Sequence, residues 1–372
     1  MDHQQGPVVG ELQPRFPEVR RIAVLRGGGL GDLVFALPAV AALAGAYPGA
    51  EITMLGTPLH AALLGGRPGP VTTVEVLPAR PGVQAGEPDP AAERAFLGRL
   101  RGRSLDLAVQ LHGGGRNSNP FLLELGARHT VGSRTPDAVD LERSVPYVYY
   151  QHEVLRGLEV AALAGAVPVD LEPRVALTEE ERAGRDRAAA RERPEVLLHP
   201  GATDPRRRWP SASFAEVAAR LVADGARVTV IGDETDVPAA EEIVAGARRS
   251  GAGDAVSSVA GQVPLGHLVG LLARGSLLLA NDSGPRHLAQ AVGTPTVGIF
   301  WFGNVVNAAP LSRARHRIQF SATRDCPVCG RDVTQVGWTA ERCEHDDSFV
   351  AEVGTGAVLA DARELLASTV RR

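Results

Sequence analysis

"RIAVLRGGGLGDLVFALP", Arg21 to Pro38, is the stretch on which the reading of the chain turns. Arg21–Leu25 is a short, mostly apolar run of strand length. Gly27, Gly28, Gly29 and Gly31 follow, a backbone able to turn tightly and approach another group closely. From Asp32 to about Tyr47, Leu33, Leu37, Val40 and Leu43 recur near helical spacing. Strand, glycine turn and helix are the opening of a Rossmann-like unit. One residue breaks the dinucleotide fingerprint. Asp32 stands where G-x-G-x-x-G wants its last glycine, and a carboxylate there would repel a pyrophosphate. Two roles remain for it, and spacing favours neither. It can cap the free N–H groups that open the helix. It can also act as a general base held by the glycine turn.

The same rhythm runs on from this stretch. EITML (51–55), TVEVL (73–77), LDLAVQL (105–111) and HTVGS (129–133) read as strands with helical patterns between several of them. Residues 80–90 are a Pro- and Gly-rich loop, and 172–195 an exposed helix near a domain junction. The rhythm then restarts with strands in EVLLHPG (195–201), ARVTVIG (226–232), SLLLAND (276–282) and TVGIF (296–300). Helices are predicted over 213–223, 237–248 and 265–273. This alternation predicts an α/β protein with parallel sheets covered on both faces. Two doubly wound halves would face each other across a cleft, with ligands at the C-terminal strand ends.

Composition agrees. A chain of 372 residues, 44% hydrophobic, exceeds one ordinary core. A net charge of −4 argues against a dominant nucleic-acid surface. All 39 basic residues are arginine, so any role usually given to lysine falls to a larger, planar, permanently charged group. The first twenty residues have no apolar leader core, and no apolar run reaches membrane-span length. Three cysteines make no disulfide framework, so a soluble, cytoplasmic protein is expected.

The polar residues collect at predicted strand ends. In NDSGPRHLAQAVGTPTVGIF (281–300), Ser283 and Gly284 form a turn and Pro285 suits the first helical turn. The N–H groups of Ser283, Gly284 and Arg286 would make an anion site, with Asp282 capping the helix or holding a sugar hydroxyl. HPGATDPRRRWP (199–210) offers the Thr203 hydroxyl and three charges, Arg206, Arg207 and Arg208, beside Trp209. A solvated basic loop anchored by Trp209 is the plainer reading of that stretch. LHGGGRNSNP (111–120) resembles an esterase oxyanion loop, but no G-x-S-x-G elbow exists to go with it. Arg116, Asn117 and Ser118 could instead bind sugar hydroxyls. Cys326-x-x-Cys329, Cys343 and His345 could hold a structural zinc, or remain reduced thiols in a C-terminal loop.

Taken together and in this order, the motifs resemble those of the heptosyltransferases, glycosyltransferase family 9. The resembling features are IAVLRGGGLGDLVFALP, HPGAT, Arg207-Arg208-Trp209-Pro210 and DSGPRHLA. The resemblance runs over nearly the whole chain from about Arg20. It implies a GT-B fold: a flexible tail over 1–19, an acceptor domain over 20–175 and a donor domain over 176–350. Residues 351–372 would form a helix returning to the first domain. It implies inverting transfer of a sugar, typically heptose from an ADP-linked donor, with no cofactor or metal required. Asp32 matches the family's base. Thr203, Arg207, Asp282, Ser283, Gly284 and His287 match its donor-binding residues, with Asp236, or alternatively Glu234, on the ribose. Gly31, Arg116, Asn117 and Ser118 fall on the acceptor side. The family's lysine is Arg207 here, which keeps the charge on a larger, planar group. A glycan, a lipid-linked sugar such as the lipopolysaccharide core, a small molecule or a protein could be the acceptor. Other readings are a different nucleotide-sugar donor, a non-catalytic nucleotide-sugar-binding protein, a nucleotide-sugar epimerase and a nicotinamide-dependent enzyme. The broken fingerprint argues against the last.

Overall fold

A computed structural model describes residues 9–334 and 341–369. The chain divides into two compact units, Met1–Ala176 and Leu177–Arg372. The first carries β1 (Arg21–Leu25), α1 (Leu30–Ala46), β2 (Glu51–Gly56), α2 (Pro58–Leu64), β3 (Thr73–Val76) and α3 (Pro90–Gly102). It continues through β4 (Leu107–Gln110), α4 (Ser118–Glu124), β5 (His129–Arg134), β6 (Arg143–Pro146) and α5 (Glu153–Leu163). The second opens with α6 (Glu179–Ala189), β7 (Glu195–His199), α7 (Ser211–Ala223), β8 (Arg227–Val230), α8 (Val237–Ala247) and β9 (Val256–Ser258). Then come α9 (Leu265–Arg274), β10 (Leu277–Asn281), α10 (Gly284–Ala291), β11 (Thr296–Trp301), α11 (Phe302–Ala308), β12 (His316–Ser321) and α12 (Thr355–Thr369).

Each unit has one six-stranded parallel sheet, ordered β3-β2-β1-β4-β5-β6 in the first and β12-β11-β10-β7-β8-β9 in the second. The central strands are apolar on both faces, as a covered parallel sheet requires: Ile22 to Leu25 and Leu277 to Ala280 are all fully buried. In each sheet the strand order reverses at a central pair, β1 with β4 (Ile22 beside Leu107) and β10 with β7 (Leu277 beside Val196). A crevice opens at the carboxyl end of such a pair, because the two outgoing loops leave on opposite faces. The glycine turn and the HGGG loop leave β1 and β4. The HPGA loop and the DSGP turn leave β7 and β10.

Three strands escape the sequence pattern: β6 (RSVP), β9 (VSS) and β12 (HRIQFS). All three are sheet edges, half covered and short of apolar residues. Helix α1 begins at Leu30, two residues before Asp32, because Gly29 and not Asp32 is its N-terminal boundary residue. The described part of the expected tail is pinned down. Phe16 is buried, stacks on His129 at 4.1 Å and lies under the Arg143 guanidinium at 3.8 Å. Helix α12 packs Val358, Leu359, Ala362 and Leu365 into the second unit's own core, so the segment expected to return to the first domain is built into the second.

His316, on the edge strand β12, is buried and hydrogen-bonds Thr296 Oγ1 through Nδ1 at 2.9 Å. Burial, with Arg286, Arg315 and Arg317 adding to it, pushes its pKa down to about 3. Between that value and the unfolded pKa of about 6.5 only the unfolded chain takes up the proton, so stability falls as pH falls. From pH 7.5 to 5 this one residue is expected to cost about 2 kcal/mol. In His316→Asn, whose Oδ1 can replace Nδ1 as acceptor, denaturant unfolding at the two pH values should show a correspondingly smaller loss.

Candidate functional site

At the end of β1 the chain turns through Gly28, at φ +90°, where a Cβ would stand 2.5 Å from Asp32 Oδ2. The turn exists to bring the carboxylate back onto it. Asp32 Oδ2 accepts the Gly29 N–H at 2.8 Å, and Oδ1 accepts from the Arg26 guanidinium. Arg26 is buried and also reaches Glu153 Oε2 at 3.4 Å, and Glu153 is bound in turn by Arg156. Burial alone would raise the Asp32 pKa. The Arg26 charge and the Gly29 N–H outweigh it and hold the carboxyl below its usual range. The side chain stays 46% accessible, so a deprotonated, charge-held carboxylate is open to a ligand. The turn is braced from both sides. His112 Nδ1 accepts the Gly27 N–H at 3.1 Å. His60 is fully buried, accepts from Thr57 N–H through Nδ1 and lies 3.3 Å from Gly29 O through Nε2.

The acceptor-side residues do not behave alike. Gly31 is partly exposed beside Asp32, and Arg116 and Asn117 are exposed after β4. Ser118 is buried, and its hydroxyl joins Gln110 and the His112 carbonyl. It holds the HGGG loop in shape, and its hydroxyl is engaged there.

In the second unit Asp282 is buried at the end of β10. Its Oδ1 meets His287 Nε2 at 3.1 Å. Its Oδ2 accepts from Arg207 at 3.1 Å and from Asn304 Nδ2 at 2.6 Å. Burial would raise its pKa, but His287, Arg207 and Arg286 together hold it far below the usual carboxylate range. Arg286 is fully buried, donates to His287 Nδ1 at 2.6 Å and lies over the Phe300 ring. Ser283 is the boundary residue ahead of α10, yet its side chain makes no capping bond. Asp282 does not cap the helix either. The Arg286 N–H, expected to face a ligand, donates to Ser283 O at 3.1 Å.

The three adjacent arginines part company. Arg206 is buried, bound by Asp204 and stacked on Phe349, and Arg208 donates to Ala202 O at 3.0 Å. Only Arg207 turns to Asp282. Trp209 does anchor the loop: its N–H donates to Asn281 Oδ1 and its indole N–H to Val353 O, both at 3.0 Å. Thr203 is exposed nearby. Asp236 is buried against His199 at 3.4 Å, while Glu234 is exposed. The carboxylate expected on a ribose is therefore already engaged inside the protein.

Cys326, Cys329, Cys343 and His345 bring one ligand atom each to within 4.8 Å of one another. The Cys329 backbone N–H, with further bonds from Val328 and the neighbouring thiols, draws the Cys326 pKa down to about 7. His345 Nδ1 is buried with no hydrogen-bond partner among the described residues.

The family model "Glycosyltransferase family 9 (heptosyltransferase)" matches residues 94–334. The chain belongs to glycosyltransferase family 9. Asp32 lies ahead of the matched segment, and every proposed donor-side residue lies within it. Lipopolysaccharide heptosyltransferase 2 of Salmonella typhimurium is 34% identical over 128 residues, 34% of this chain and 36% of that protein. The match to this curated relative thus spans about a third of its length. Among solved structures, E. coli ADP-heptose lps heptosyltransferase II aligns with TM-score 0.71 at 22% identity, covering 94% of this chain and 99% of that one. E. coli heptosyltransferase WaaC with ADP aligns with TM-score 0.63 at 17% identity, covering 81% and 93%. These likenesses establish a shared two-domain α/β fold of the GT-B kind.

Arg26, Glu153 and Asn304 join the hydrogen-bonded networks around Asp32 and Asp282 and were not singled out in the sequence, where Arg286 was read only through its backbone N–H and His199 only as part of HPGA. Arg26 sat in the opening motif, but nothing local says that it points back at Asp32. Asn304 and Glu153 lie in helices with no motif. In Arg26→Met the cation is gone and burial is left to act against fewer opposing groups, so the Asp32 titration should move up. Carbon-13 NMR of aspartate side chains across acid pH measures this. An unmoved Asp32 titration would show that Arg26 does not hold the charge.

Proposed function

We propose that this protein is an inverting glycosyltransferase that moves a sugar, heptose from ADP-heptose, onto an acceptor hydroxyl. The observation that carries the reading is the arrangement at the end of β10, where Asp282 binds Arg207, His287 and Asn304 beside the start of α10. A nucleoside diphosphate leaving with its bonding electrons gains negative charge. The Arg207 guanidinium and the Ser283–Gly284 turn are groups suited to meet it. Family membership supports this reading, as does the binding of ADP by an E. coli relative of the same fold. Thr203 is assigned to the same donor, and the exposed Glu234, rather than the buried Asp236, to its ribose.

Asp32 takes the proton of the attacking hydroxyl. Its lowered pKa makes it a weak base that is always ready, and it accepts the proton as bond formation makes the hydroxyl acidic. A positioned base of this kind contributes roughly 10²–10⁴ in rate. Gly31, Arg116 and Asn117 line the acceptor side in this reading, with a glycan or lipid-linked acceptor. Calorimetric titration with ADP, UDP, GDP, dTDP and NAD tests the donor, and selective binding of ADP is expected. Asp32→Asn should lower turnover by about 10²–10⁴ while leaving ADP affinity unchanged. Normal turnover in that variant removes the base assignment, and preference for another nucleotide changes the donor.

The cysteine cluster fits a structural zinc. Three sulfurs and an imidazole converge, and the His345 ring is not spent on a hydrogen bond through Nδ1 among the described residues. Cys326, Cys329, Cys343 and His345 would hold the ion, which ties the loop together and takes no part in transfer. No described helix is long and apolar enough to cross a membrane. Elemental analysis is expected to find about one zinc per chain, since four ligands make one site. Cys343→Ser should lose the ion and melt at a lower temperature. A metal-free wild type that melts no higher than Cys343→Ser discards the zinc.

A further inference from the structure

We propose that His199 and Asp236 are positioning residues that hold the Ser283 hydroxyl away from the start of α10, keeping that turn open to the diphosphate. The inference rests on the donor assignment above and adds to it two residues that need not touch the ligand.

Three strand-end loops meet at this point. His199 ends β7, Asp236 lies in the turn after β8, and Ser283 follows β10. Ser283 Oγ is 3.1 Å from His199 Nδ1, and His199 Nε2 is 3.4 Å from Asp236 Oδ2. His199 and Asp236 are both only 6% exposed. The carboxylate is further fixed by the Asp233 N–H at 3.2 Å. Its berth is cleared by two glycines. A Cβ on Gly201 would stand 2.4 Å from Asp236 Oδ1, and one on Gly232 2.7 Å from Oδ2. The G of HPGA and the G of VIGD thus leave room for one buried side chain.

The proton arrangement follows from donor and acceptor capacity. An ionised carboxylate only accepts, so the ring proton of a neutral His199 belongs on Nε2, facing Asp236. Nδ1 is then a lone pair, and the Ser283 hydroxyl must donate to it. A serine at the boundary of a helix ordinarily turns its oxygen onto the helix's own N–H groups. Ser283 makes no such bond. The imidazole has taken the hydroxyl in its place. Pro285 has no N–H, so without that acceptor the oxygen is free to swing onto the Arg286 N–H, now bonded to Ser283 O, and to crowd the turn an anion would enter.

The test is a double-mutant cycle read by calorimetric ADP titration. His199→Phe should weaken ADP binding about tenfold, the size of one hydrogen bond. His199→Asn, whose Oδ1 stands near the former Nδ1, should stay near wild type. In a Ser283→Gly background, where no hydroxyl can swing, His199→Phe should change nothing further. An equal loss in both backgrounds, or no loss in either, overturns the inference. A second readout needs no ligand. Nitrogen-15 NMR of histidine-labelled protein should show His199 as the Nε2–H tautomer, and Asp236→Asn should weaken that preference. A proton on Nδ1 overturns this inference alone. Wild-type protein that binds no ADP overturns the donor reading beneath it.

Discussion

The buried carboxylate of Asp282 organises the second unit's site. An unpaired carboxylate taken out of water is far too costly to keep, so its surroundings must supply opposite charge and hydrogen bonds. They come from three directions: Arg207 from the loop after β7, His287 from α10 and Asn304 from α11. Two of these partners are themselves held. Arg286 binds the far side of the His287 ring, which leaves the near nitrogen to carry the proton toward Asp282. The arginine loop is fixed below by Asn281, which joins Pro200 O and Trp209 N–H, and above by Phe349 and Ser348. Removing the central charge would leave Arg207 without a reason to point where it does.

The first unit solves the reverse problem. There the buried ion is a cation, Arg26, and the carboxylate it neutralises reaches solvent. Because a carboxylate has two oxygens, Asp32 makes two different bonds at once. Oδ2 closes the glycine turn through the Gly29 N–H, and Oδ1 faces Arg26. A cap and a charge held ready for a ligand are here the same group. Glu153 shares Arg26 from the other side, so the cation is not available to be drawn away by Asp32 alone.

Central parallel strands are buried on both faces and must be apolar runs, which is why RIAVL, LAVQ, EVLLH and LLLAN stood out at near their true bounds. Edge strands have no such obligation. RSVP, VSS and HRIQFS carry polar and charged residues on their open faces and pass for loop. The same distinction separates the site residues. Motif residues that follow a central strand were placed at the correct strand ends, because the turn chemistry of Gly, Pro, Asp and Ser is local. Partners reached across the unit carry no such local signal. Arg206, Arg207 and Arg208 looked like one basic cluster, yet consecutive side chains on a short turn point apart, and each found a different acceptor. Ser118 and Asp236 looked like ligand contacts, yet both are buried and spoken for.

By itself, then, the sequence determined the doubly wound α/β architecture and the strand ends at which polar residues gather. Those follow from apolar periodicity and from glycine and proline geometry, which act over a few residues. Tertiary structure alone decided which groups hold charge and which merely support it: Arg26 on Asp32, His287 and Asn304 on Asp282, Asp236 on His199, and the convergence of three cysteines and His345 on one point. Such pairings join residues up to 127 positions apart, as Arg26 and Glu153 are. They are set by the electrostatic cost of burying a lone charge, and that cost is known only once the chain has folded around it.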